Sequence, residues 1–131
     1  MNDRIETAQL FLRLARTDRG AIDLLAGGGP EFDSTALFHA QQAAEKALKA
    51  AQALHAPPVR KSHDLALLWH SLNDAGHPPP IALPELIALN PFAVTVRYDD
   101  TVLPNLSIDV ARLMIDQLLA WVEAGIAGGG T

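Results

Sequence analysis

His39, Gln42, Lys46 and Lys49 follow one another at spacings of three and four, the separation that stacks side chains on one face of an α-helix. Two ammonium groups, an imidazole that changes charge near neutral pH and an amide donor suit the recognition of phosphate. Far downstream, Arg97 and Tyr98 offer a guanidinium for a phosphate and a ring on which a base can stack. Arg60, Lys61 and His63 form a further cationic cluster beside an expected helix start, where free amides and the helix dipole favour an anion. The candidate nucleotide-binding residues are therefore His39, Gln42, Lys46, His63, Arg97 and Tyr98. Structural roles stay open beside that reading. Lys46 and Lys49 fit a solvated helix face, His63 and Asp64 fit the first turn of a helix capped by Ser62, and Arg97 fits an ion pair with Asp99 or Asp100. Gln41 and Glu45, on a neighbouring face, are expected to support helix packing or a dimer contact.

Other chemistries find less support. His39, His55, His63, His70 and His77 do not form a His-Glu-x-x-His motif or another compact ligand set, so no metal or other cofactor is expected. The Gly27-Gly28-Gly29-Pro30 stretch precedes no Lys-Ser or Lys-Thr step and reads as a helix break rather than a phosphate loop. There is no Gly-x-Ser-x-Gly elbow. The chain has no cysteine, which excludes a thiol nucleophile, thiolate zinc sites and disulfides. A displaced acid-base arrangement of His39, His63 and Lys46 is the remaining catalytic alternative.

These side chains need a scaffold. The 131 residues suit one domain that buries its own core. Many alanines and leucines, few aromatics and apolar residues at helical spacing predict an all-α fold. In the first helix, expected over Asp3 to Ala26, Ile5, Ala8, Leu12, Ala15 and Ile22 form an apolar stripe, with Arg13, Arg16, Asp18 and Asp23 mostly off it. A second helix is expected from Ser34 to His55, capped by Asp33 or Ser34, and a third from Ser62 to Ala75. A short helix follows Pro84, and the ambiguous run Phe92 to Val96 is read as a kinked helical continuation. Ser107 opens a last helix striped by Ile108, Ala111, Ile115, Leu118 and Val122. Its width suits a bundle centre or a subunit interface.

Across nearly its whole length the chain resembles the HEPN family. The resemblance is carried by Asp23-Leu24-Leu25 closing a long first helix, by Phe38-His-Ala-Gln-Gln-Ala-Ala-Glu-Lys-Ala-Leu-Lys49, by Ser62-His63-Asp64-Leu65, and by Arg97-Tyr98 followed by acidic residues. It implies an up-and-down helical bundle, commonly dimeric and often encoded beside a minimal nucleotidyltransferase as a toxin-antitoxin or related pair. Ribonuclease members are similar in carrying Arg, four to six arbitrary residues, then His. Here Arg60 precedes His63 by only three positions and no histidine follows Arg97, so no catalytic residue is carried over.

The expectation is thus one all-α domain, an antiparallel up-and-down bundle of four main helices plus a short one over residues 1–127, with a flexible tail at 128–131. It is expected to be a non-catalytic nucleotide- or RNA-binding homodimer that acts with a nucleotidyltransferase in a toxin-antitoxin or stress-response pair. The alternatives are a metal-independent endoribonuclease toxin with a non-standard active site and a purely structural interaction module. A net charge of -5 argues against broad coating of nucleic acid but leaves room for a local basic patch. No stretch approaches the roughly 20 apolar residues of a membrane span, and the amino terminus lacks a leader pattern, so a cytoplasmic location is expected.

Overall fold

A computed structural model describes residues 3–93 and 106–129. Among these residues the regular structure is entirely helical: α1 (Asp3–Ala26), α2 (Asp33–His55), α3 (Leu65–Asp74), α4 (Leu83–Ile87) and α5 (Ile108–Ala127), with 3₁₀ turns at Pro30–Phe32 and Asn90–Ala93. Phe92 and Ala93 close the second of these turns, while Val94 to Val96 of the run read as a kinked continuation lie outside the described residues.

The α1–α2 corner departs from the expected cap. Gly29, at φ 115°, adopts a conformation that costs other residues steric strain, and Pro30 then starts a 3₁₀ turn. That turn delivers Asp33 already in helical geometry, at φ -61° and ψ -45°. Neither Asp33 nor Ser34 caps α2, because a side-chain cap needs extended backbone at its own position. α3 also starts later than expected. Its N-cap is Asp64, which accepts the Ala66 amide at 3.0 Å, while Ser62 Oγ accepts the Asp64 amide one step earlier. At α5 the expected cap forms, with Ser107 Oγ accepting the Val110 amide.

α2 lies at the centre, contacting α1, α3 and α5. Ala36, Ala40, Ala43, Ala44, Ala47, Ala50, Ala51 and Ala53 are all buried on it, and small side chains let the neighbouring helices approach closely. Gly125 marks one such approach: a Cβ there would stand 3.3 Å from Leu54 Cδ1. Leu48, Leu68, Ile115 and Leu118 fill the remaining space and are fully buried, each contributing about 1.5–3 kcal/mol relative to exposure.

Cross-helix contacts fix the directions. Arg16 meets Glu123, Arg19 meets Asp116 and Asp23 meets Arg112, so α1 and α5 are antiparallel. Asp18 meets His39 and Lys46, while Asp3 and Thr7 at the start of α1 line a hollow with Ala53 near the end of α2, so α1 and α2 are antiparallel as well. After α2 the chain turns back along it: the Arg60 amide donates to Gln52 Oε1 and the His63 carbonyl accepts from Gln41. α3 therefore sets out beside the middle of α2. Beyond its end, the His77 ring stacks on His55 at 3.8 Å.

Candidate functional site

Between Thr35 and Leu54 of α2, the residues that are not buried are Thr35, Phe38, His39, Gln42, Lys46 and Lys49. At 100° per residue they fall within an arc of about 100°. Helix packing thus leaves one open strip along this otherwise enclosed stretch of α2, and the expected binding face coincides with it.

Two buried carboxylates underlie the strip. Asp18, on α1, accepts from His39 Nδ1 at 2.9 Å and from Lys46 Nζ at 2.5 Å. Glu45 accepts from His63 Nδ1 at 2.9 Å and from Lys49 Nζ at 3.1 Å. An ionised carboxylate only accepts, so a neutral ring bonded to it through Nδ1 carries its proton there and keeps its lone pair on Nε2. The acids are 8% and 4% exposed, whereas the His63 side chain is 80% exposed. Buried acids therefore orient more accessible bases.

An amide pair beside these units ties α2 to the return segment. Gln42 Nε2 donates to Gln41 Oε1 at 2.7 Å, and Gln41 Nε2 donates to the His63 carbonyl at 3.2 Å. Gln41 is fully buried, so its satisfied amide fixes the return segment against α2. Phe38 lies on the same strip with its ring edge-on to His39 at 5.1 Å, adding an apolar plane beside the polar groups.

The structure thus connects His39 and Lys46 through Asp18, and Gln42 and His63 through Gln41. Arg97 and Tyr98 lie outside the described residues. His63 stands before α3 rather than in its first turn, because Asp64 supplies the cap. Lys46 and Lys49 are not freely solvated, with side chains 25% and 12% exposed. Asp18 also differs from the pattern reading: it sits on the buried stripe of α1 between Ala15 and Ile22, where a carboxylate requires partners. That position was the available signal for its role. Glu45, expected to be structural, is both buried and directly bound to a strip residue.

A second polar region joins α1 to α5. Arg19 Nε lies 2.7 Å from Asp116, and Arg19 Nη1 and Arg112 Nε both lie 2.9 Å from Asp23 without hydrogen-bond alignment. Bonding to Asp116 raises the Arg19 pKa against the opposing effect of burial, and pairing with Arg19 lowers the Asp23 pKa. A groove along this junction is lined by Gln9, Leu12, Arg13, Arg16, Glu123 and Ile126. It holds no histidine, and its Arg16 is paired with Glu123. No group of three or more His, Asp or Glu residues among those described could hold a metal ion, and no described helix is long and apolar enough to cross a membrane.

These features define an all-helical bundle with a carboxylate-supported histidine and lysine strip on its central helix. The HEPN domain model matches residues 2–123, and the chain belongs to that family. Membership supports a nucleotide- or RNA-related role in general. No curated protein and no solved structure gives a significant match.

Proposed function

We propose that this HEPN protein binds a nucleotide or RNA along the open strip of α2 without catalysing its conversion. It acts as a homodimer with a nucleotidyltransferase in a toxin-antitoxin or stress-response pair. The observation that carries the ligand reading is the restriction of the open positions between Thr35 and Leu54 of α2 to one arc containing His39, Gln42, Lys46 and Lys49. His63 borders this arc through Glu45, while Arg97 and Tyr98 complete the candidate set. The family resemblance supports the partner and dimer readings. Isothermal titration with ATP and a short RNA should give saturable binding to at least one, weakened by Lys46→Ala and Arg97→Ala. No binding of either by the unmutated protein overturns the ligand reading. Co-purification with a minimal nucleotidyltransferase tests the pairing, and a monomeric mass at micromolar concentration overturns an obligate homodimer.

A second reading is metal-independent RNA cleavage, favoured by the two carboxylate-oriented imidazoles. Such rings can exchange protons at Nε2. Incubation of RNA with the protein and a chelator tests it: cleavage lost in folded His39→Ala or His63→Ala variants establishes this activity, whereas intact RNA removes it.

A further inference from the structure

The open strip repeats one unit: a buried carboxylate engaging one lysine and one histidine. Asp18 engages Lys46 and His39, and Glu45 engages Lys49 and His63. In each unit the lysine and carboxylate cancel, leaving the imidazole to set the net charge. Across both units, two acids and two lysines sum to zero; two neutral rings keep that sum at zero, and two protonated rings make it plus two.

The surrounding groups leave that difference in place. Phe38, beside His39, carries no charge. Arg19, next to Asp18 in α1, is directed to Asp116 and Asp23. Near His63, Asp64 is occupied by the Ala66 amide and Asn90, while Arg60 and Lys61 on the exposed return segment add positive charge.

We infer that the strip is a proton-gated seat for the phosphodiesters of single-stranded RNA, a deepening of the RNA-binding function proposed above. Deprotonated rings leave two internally neutralised units. Protonation gives each unit an unbalanced positive charge and converts its Nε2 into a hydrogen-bond donor. The ligand itself does not titrate across this range, so the pH response belongs to the protein. Both units serve the same strand because His39, Glu45, Lys46 and Lys49 stand on one helix, with His63 bonded to Glu45 beside them.

The test uses a short, fluorescently labelled 2′-O-methyl RNA without terminal phosphates, which resists cleavage through the 2′ oxygen. Fluorescence anisotropy is measured at about pH 8 and about pH 5.5, on either side of histidine titration, with folding checked by circular dichroism. Binding is expected to be about tenfold or more tighter at the lower pH, the scale of one added charge-assisted hydrogen bond. Its salt dependence should steepen by roughly 1.4 in log-log slope if two further single-strand phosphates are neutralised. The double variant His39→Gln/His63→Gln should lose this pH response. Asp18→Asn should bind more tightly at the higher pH, where Lys46 is no longer cancelled.

Equal affinity and salt slope at both pH values overturn the gate while leaving RNA binding intact. Persistence of the pH response in the folded double-histidine variant also overturns it. Absence of binding at both pH values removes the RNA reading together with the gate. If Asp18→Asn does not fold, the histidine variant remains decisive.

Discussion

Between α1 and α5 the acids are exposed and their partners are arginines; beneath the α2 strip the acids are buried and their partners are histidine and lysine. Asp23 and Asp116 are 58% and 54% exposed as side chains, whereas Asp18 and Glu45 are 10% and 5% exposed. Arginine keeps its charge throughout the ordinary pH range, so the α1–α5 network has fixed polarity. Histidine does not share that fixed charge, and the inferred gate depends on this difference. Burial decides the structural cost. Water can replace an arginine lost from the exposed carboxylates of Asp23 and Asp116, but it reaches the acids beneath α2 poorly.

The largest expected separation comes from Glu45→Ala. It leaves Lys49 with little solvent and no carboxylate, and should cost about 3 kcal/mol, the lower end for breaking a buried ion pair. Urea unfolding followed by circular dichroism checks this, and a loss below that of Arg16→Ala breaks the comparison. Asp18→Ala should cost roughly 2 kcal/mol, less because Lys46 and His39 retain more solvent contact. The same assay orders the two buried acids. Arg16→Ala should cost at most about 1 kcal/mol, because both partners are close to half exposed and water screens the pair. Its effect should shrink further in high salt.

The smallest effect concerns acid. Asp23 has a folded-state pKa below its ordinary value of 3.8, chiefly through Arg19. Its contribution is present above the unfolded value and is lost as pH falls through the lower folded value. Asp23→Asn should therefore remove a small part of the stability decline below about pH 4. An acid titration with the same slope in both proteins would show that Asp23 adds no measurable linkage.

The sequence pattern exposed the helical scaffold and the active-looking face unequally well. α1 was legible because its apolar spacing is long and glycines interrupt the following chain. α2's polar face was legible because His39, Gln42 and Lys46 occupy neighbouring helical positions. Asp18 was harder to assign: an apolar-stripe reading places charge outside, although its position between Ala15 and Ile22 turns it inward. Its partners stand 21 and 28 residues away, a pairing that local periodicity does not specify. Ser62 and Asp64 were both chemically capable caps. In the structure Gln41 and Glu45 bond His63 in the return segment, and Asn90 bonds Asp64 and the Leu65 amide at the helix start.

That return segment gives the two halves of the strip different mechanical supports. His39, Gln42 and Lys46 ride on the backbone ladder of α2, whereas His63 is held through the side chains of Gln41 and Glu45. The Arg60 amide is likewise secured by Gln52 rather than by a helix carbonyl. Amide exchange at Arg60 therefore reports release of this strap more directly than unfolding of α2. A strand seated across both supports would slow that local exchange, making recognition visible as a change in backbone opening as well as in affinity.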